Sequence, residues 1–125
     1  MAHISTESVA EIRKELKAKF PKFKFGVLRR NGMEVVVSLL SSPHSFADAL
    51  KEHTYCQVNH YYIDQHFENE AERELLTSIY DTILTAPART GQPYYDRSDS
   101  QSDYFDTAYY SSITIGRWDK PYTVI

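Results

Sequence analysis

The dipeptide Asn31-Gly32 constrains this chain more than any other pair of residues, because it sits between two runs of alternating character. Both positions accept positive φ, which a tight hairpin turn requires. Ahead of it, Lys22 to Arg29 sets Phe23, Phe25 and Val27 on one face and Lys22 and Lys24 on the other. Behind it, Met33 to Leu40 sets Met33, Val35, Val37 and Leu39 on one side. The pattern predicts a β-hairpin. Two strands are marginal alone, so the rest of the sheet has to come from downstream.

The segment ahead of the hairpin predicts a helix over Thr6 to Lys19. Val9, Ile12, Leu16 and Phe20 recur at helical spacing, with Arg13, Lys14, Lys17 and Lys19 on the wet side. Ser5 or Ser8 can cap it, and Ser8 followed by Glu11 fits a capping box. The basic last turn suits the helix C-terminus, and Pro21 stops it. A helix laid across a two-stranded ribbon is the first half of an α+β core.

Ser41, Ser42 and Pro43 make a loop, and Ser45 can cap a short helix carrying Phe46, Ala49, Leu50 and His53. Tyr55 to Ile63 is ambiguous between strand and loop, its aromatic and β-branched content favouring a strand. From Asn69 to Ala86 the spacing is helical again, with a stripe of Leu75, Leu76, Ile79, Ile83 and Leu84 and with Tyr80 at its edge. Asn69 caps this helix, Glu70, Glu72 and Glu74 suit its N-terminus, and Pro87 closes it. Ala88 to Pro93 reads as a linker. Ala108 to Arg117 alternates Tyr109, Ser111, Ile113 and Ile115 against Tyr110, Ser112 and Thr114, which predicts a strand. Gly116 breaks it, Asp119-Lys120-Pro121 turns, and Tyr122 to Ile125 make a short final strand. At 125 residues the chain fits one domain, since splitting it would leave two cores too small to stand alone. The expectation is a single α+β domain over residues 1–125. Its small antiparallel sheet, the N-terminal hairpin plus the C-terminal strand, is packed by two longer helices and one short one.

The lone Cys56 excludes an intramolecular disulfide. The N-terminal run lacks the apolar core of a signal peptide, and no run approaches the roughly 20 apolar residues of a membrane span, so the cytosol is the default compartment. Net charge is −3 and unevenly placed: residues 1–60 hold nine Lys/Arg against six Asp/Glu, residues 61–125 five against eleven. The acidic half suits a basic partner, such as the groove of a nucleic-acid-binding protein. The plainer reading is a solvated, mixed-charge surface. There is no P-loop, no dinucleotide-binding glycine motif and no nucleophile elbow. Helix-turn-helix signals are absent, and the acidic balance argues against general DNA binding.

Three groups of residues carry candidate chemistry. His53, Cys56, His60 and His66 offer ligands that zinc accepts, but their spacing lacks the paired cysteines or clean Cys2His2 pattern of structural sites. Half-exposed histidines and a buried small thiol explain them equally well. Cys56, His60 and Asp64 could form a nucleophile, base and orienter, yet such triads assemble from distant segments and local spacing carries little weight. The third group lies in the acidic, aromatic stretch YYDRSDSQSDYFDTAYYSSITIGRW, Tyr94 to Trp118, which holds five of the ten tyrosines. Asp96, Asp99, Asp103 and Asp106 could serve divalent cations in a nuclease-like hydrolase. They lack the order and closing Glu of a calcium loop, and the interspersed serines favour Asx- and Ser-stabilised turns.

Taken together, the runs IRKELKAKFPKFKFGV, VNHYYID and YYDRSDSQSDYFDTAYYSSITIGRWDKPY resemble large polyvalent protein-associated domain 29. That domain occurs in polyvalent proteins of phages, plasmids and conjugative elements. The likeness runs from about Ile12 to Tyr122, and its most specific part is D-x-S-D-x-x-x-D-Y-F-D leading to I-G-x-W-D-K-P. It implies an α+β domain of mobile elements, which often deliver proteins that blunt host restriction, CRISPR or related defences. It brings no established active site to carry over. As a free-standing single domain, the chain is expected to act as a small effector of a phage, plasmid or prophage in the cytoplasm of the bacterial host.

The functional expectation is therefore a non-enzymatic accessory protein, with no catalytic residues, cofactor, bound metal or membrane association. It would bind a protein partner, such as a nucleic-acid-binding defence component, through Tyr94, Tyr95, Asp96, Asp99, Asp103, Tyr104, Phe105 and Asp106. Carboxylates would meet Arg or Lys there, and the aromatic rings would supply anchor area at small entropy cost. One alternative is a metal-dependent hydrolase using the same aspartates with His60 or His66. The other is a nucleic-acid-binding module using Lys14, Lys17, Lys22, Lys24, Arg29 and Arg30. Direct nucleic-acid binding is not expected, because Glu7, Glu11 and Glu15 interleave with the N-terminal lysines.

Overall fold

The computed structural model describes residues 2–46, 50, 55–58, 63, 67, 69–96, 107–117 and 119–125. The hairpin turns where the sequence places it, with φ of 54° at Asn31 and 73° at Gly32. Strand β1 (Lys24–Arg30) pairs antiparallel with β2 (Glu34–Ser42), and Arg30 lies opposite Glu34. The loop therefore holds three residues, and Met33 belongs to it, its N–H donating to Arg30 O at 3.2 Å. Met33 is exposed as a result, while Val35, Val37 and Leu39 are fully buried as their alternation requires.

Strand β2 is the spine of the sheet. Beyond β1, its other edge pairs in parallel with β4 (Tyr110–Ile115), from Glu34↔Tyr110 to Leu39↔Ile115. Past that ladder, Ser41 and Ser42 pair in parallel with β5 (Thr123–Val124). A three-residue β3 (Cys56–Val58) runs antiparallel along β4, giving the order β1-β2-β4-β3. The α+β architecture is as expected, but the sheet is mixed where an antiparallel one was expected. The physical reason is the connection: a long crossover carries the chain from the end of β2 back to the end where β2 began, and a strand entered there runs parallel.

Helix α1 (Thr6–Lys19) is capped by Ser5, whose hydroxyl accepts from Ser8 N–H. Ser8 is not the cap; it is buried. Helix α2 (Glu70–Thr85) is capped by Asn69, whose side chain accepts from Glu72 N–H. Pro87 does not end the helical path, because the chain continues as a 3-10 helix, Ala86–Thr90, with the proline in its first turn. A proline there lacks only an N–H that would have had no helical partner. Of the expected short helix, Leu50 N–H donates to Phe46 O at 2.8 Å; Ala49 and His53 lie outside the described residues. The strand expected over Tyr55 to Ile63 is described only as β3, residues 59–62 lying outside them too.

Both helices bury their stripes on one face of the sheet. Val9, Ile12 and Leu16 of α1 and Leu76, Ile79 and Ile83 of α2 join Val27, Val35, Val37, Leu39, Val58, Ile113 and Ile115 in one core. Each such side chain contributes about 1.5–3 kcal/mol by leaving water. The presumed linker also packs. Gln92 Oε1 accepts from Ser5 N–H at 3.1 Å and from Ser8 Oγ at 2.7 Å, its Nε2 donates to His3 O, and Ser8 Oγ lies 2.8 Å from Thr90 Oγ1. One amide thus ties the start of α1 to the segment after α2. Gln92→Ala should cost about 1–3 kcal/mol in urea unfolding, because it leaves buried Ser8 and the α1 cap short of partners. The loss of hydrogen-exchange protection should concentrate at the start of α1.

Candidate functional site: a braced acidic segment and a histidine–glutamate pair

The acidic stretch enters and leaves through a braced base. Asp96 and Thr107 form an isolated antiparallel bridge, and Ala108 N–H donates to Tyr95 O at 2.9 Å. The Thr107 hydroxyl lies 3.3 Å from Tyr95 O and 3.4 Å from Tyr94 Oη. On the N-terminal side, His3 N–H donates to Ala108 O at 2.9 Å and Ile4 N–H to Gly32 O at 3.0 Å. Tyr110 N–H reaches Met33 O at 2.8 Å. The base is therefore stitched to the hairpin turn and to the residues that lead into α1.

Tyr109 anchors this base in the core. Its ring is 1% exposed, and its hydroxyl donates to Ile83 O at 2.6 Å. That carbonyl belongs to the last turn of α2, where carbonyls lack helical partners. Burial, with smaller contributions from Tyr94 and Tyr80, pushes the Tyr109 phenol well above its ordinary pKa. Tyr94 meets Tyr109 edge to face at 5.2 Å. Of the eight expected contact residues, Tyr94 is thus half-buried and packed, while Tyr95 (37% exposed) and Asp96 lie at the surface. Asp99, Asp103, Tyr104, Phe105 and Asp106 lie outside the described residues. Tyr110, 46% exposed at the start of β4, adds an open ring beside the base that sequence reasoning had not assigned to it.

Sequence reasoning missed a second cluster altogether. Glu72, in the first turn of α2, is 5% exposed, and its Oε1 lies 3.0 Å from His44 Nε2. Around His44 the hydrogen bonds close into a ring. His44 N–H donates to Ser42 Oγ at 3.2 Å, Ser42 Oγ and Tyr122 Oη lie 2.5 Å apart, and Tyr122 O–H donates to His44 O at 2.5 Å. Phe46 packs edge-on against both His44 (4.8 Å) and Tyr122 (5.5 Å). Burial raises the Tyr122 phenol, the Ser42 bond opposes this, and the Glu72 charge adds to it. A carboxylate-oriented imidazole is an acid–base pair in form, but Ser42 is turned to backbone and Tyr122 and is not placed as its nucleophile. Its evident work is structural: it joins the end of β2, the approach to β5 and the first turn of α2. Ser42 and His44 are neighbours, but Glu72 is 28 positions from His44 and Tyr122 is 80 from Ser42, so no local spacing could have exposed the cluster.

The remaining candidates are quieter. Cys56 is half-buried at the start of β3, and burial raises its thiol, which opposes thiolate chemistry. His53, His60, Asp64 and His66 lie outside the described residues. Among the described residues, no group of three or more His, Cys, Asp or Glu could hold a metal ion, and no helix is long and apolar enough to cross a membrane. The outer face of α2 lines an open cleft with Glu70, Arg73, Glu74, Thr77, Ser78 and Asp81. Part of the acidic excess of the second half of the chain is therefore displayed on that helix.

Two substitutions test these assignments. Tyr109→Phe keeps the ring but strips Ile83 O of its donor, and should lower unfolding free energy by about 1–2 kcal/mol. His44→Ala leaves Glu72 buried without its partner and should cost about 1–3 kcal/mol. The His44→Ala/Glu72→Gln double variant should lose less than the sum of the singles in a denaturant-unfolding cycle.

A family model described as large polyvalent protein-associated domain 29 matches residues 4–112. The match begins ahead of the resemblance read from the sequence and ends within β4, so the I-G-x-W-D-K-P run lies beyond it. No curated protein and no solved structure matches the chain. The matched span covers both long helices, the hairpin, β3 and the acidic segment as far as residue 112, and the chain belongs to the large polyvalent protein-associated domain 29 family.

Proposed function

We propose that this protein is a non-enzymatic accessory protein of a mobile element that binds a basic protein partner through its acidic, aromatic segment. A host defence component that handles nucleic acid is the partner class this chemistry suits, since its groove presents Arg and Lys in place of phosphate contacts. The observation that carries the reading is the braced base. The Asp96–Thr107 bridge holds both ends of residues 97–106 together, and Tyr109 ties that base to α2. Holding both ends of a contact segment lowers the entropy lost when it docks. Tyr95 and Tyr110 flank the base with exposed rings, the amphipathic side chains that interface anchors use.

Asp99→Lys/Asp103→Lys should abolish capture of the partner from host lysate while leaving the melting temperature within a few degrees of the parent. A large fall in melting temperature would mean that the aspartates build the fold instead. Calorimetric titration with Mg²⁺, Mn²⁺ or Zn²⁺ gives an independent arm. Saturable binding that the same variant loses would replace protein recognition with metal chemistry.

A further inference from the structure

In the sequence, Glu7, Glu11 and Glu15 interleave with the cations of α1; on the helix, the glutamates and the Arg13–Lys17 pair lie on different flanks, with Lys14 between them. The three glutamates repeat every four residues and form one stripe. Glu15, at its end, faces the 3-10 helix, with Oε2 3.4 Å from Arg89 Nε. Burial and a hydrogen bond with Glu11 raise the Glu15 carboxyl against the pull of Arg89. Arg13 and Lys17, also four apart, mark the other flank. Arg13 Nη2 donates to Val27 O at 2.8 Å, fixing that flank against β1. Lys22 and Lys24 carry the positive charge around the turn into β1.

That turn is stiff. Phe20 and Phe23 stack at 5.2 Å with their planes 24° apart, and Phe25 sits 5.9 and 6.2 Å from them. The three rings lean on the core and keep part of their surface in solvent. The cations divide by use. Arg30 pairs with Glu34 at 3.1 Å, Arg29 Nε donates to Ile4 O at 2.6 Å, and Lys19 Nζ donates to Thr82 Oγ1 at 2.8 Å. Among the described residues, Lys14, Lys17, Lys22 and Lys24 are exposed and enter none of the ion pairs.

We propose that the corner of Lys17, Lys22 and Lys24 around the Phe20–Phe23–Phe25 cluster binds single-stranded nucleic acid. Three ammonium groups on one corner complement a run of phosphates, and the partly open phenyl rings beside them offer bases an apolar surface. A duplex laid on α1 would bring phosphates of its second strand against the glutamate stripe; a single strand following the corner avoids it. A membrane is disfavoured because the rings are packed against the core and do not project. The inference is independent of the protein-binding reading, which uses the opposite charge and the other half of the chain.

The test is fluorescence anisotropy with a labelled thymidine oligonucleotide, a duplex of mixed sequence and phosphatidylserine vesicles as separate probes. Between about 50 and 200 mM salt, the logarithm of single-strand affinity should fall against the logarithm of salt with a slope near −2, about −0.7 for each of three phosphate contacts. Lys17→Glu/Lys22→Glu/Lys24→Glu should weaken binding by about tenfold or more and flatten the slope, with circular dichroism unchanged. Lys22→Gln/Lys24→Gln should fall between the two. Asp99→Lys/Asp103→Lys should bind the oligonucleotide no less tightly than the parent. The proposal is overturned by absence of oligonucleotide binding at the lowest salt, by binding that survives the lysine reversals, by tighter binding of the duplex, or by binding to vesicles alone.

Discussion

The parallel ladder between β2 and β4 is the constraint on which the remaining structure depends. Two antiparallel strands can be joined by a short turn, but a parallel pair demands a crossover long enough to return the chain to the starting end. Here that return includes α2, so the ladder and the helix that covers it arise from one connection. With β1 on one edge and β4 on the other, β2 is buried nearly throughout. Its last two residues are then closed by β5, after Gly116 N–H has bonded Leu39 O at 2.7 Å. Remove the parallel pairing and the C-terminal third has no place to dock. The base of the acidic segment would lose its seat against the hairpin turn.

Local chemistry made much of this legible. Both long helices fall where their apolar stripes and caps put them, because a 3.6-residue period can be read within a single window. The hairpin is legible because Asn31 and Gly32 both adopt positive φ. What escaped was non-local. Nothing within β4 states whether its partner runs parallel or antiparallel, since alternation records burial and not direction. One hint was present: the run EVVVSLLSS is more continuously apolar than an edge strand needs, as expected of a strand paired on both sides. Pro87 misled for the opposite reason. A proline forbids the helix interior but fits the first turn of the next helical segment, and only the packing against α1 distinguishes the two.

The candidate sites follow the same division. That an acidic, tyrosine-rich stretch precedes a core strand was plain from composition. That Tyr94 is packed while Tyr95 faces outward depends on Tyr109, whose hydroxyl finds a carbonyl on α2. The Ser42–His44–Glu72–Tyr122 cluster was invisible because its members come from three separate elements. A glutamate in the first turn of a helix ordinarily reads as complementing the helix dipole, and Glu72 holds that position. It is also buried, so it needs a partner of its own, and His44 fills that role.

Charge separation gives these observations a common sense. In a small single domain, opposite charges that are mixed along the sequence can still be sorted by the fold into separate flanks. Glu15 of α1 faces the 3-10 helix, while Arg13 holds the other flank against β1. The outer face of α2 and the base of the tyrosine–aspartate segment carry negative charge. Each surface rests on an element braced from beneath, the acidic segment by Tyr109 and the lysine corner by three phenylalanines. Bracing of this kind matters for binding more than for catalysis. A catalytic site needs converging groups around a reacting atom. A recognition surface needs charges held in place with little entropy left to lose, which is what bracing beneath a charged segment favours.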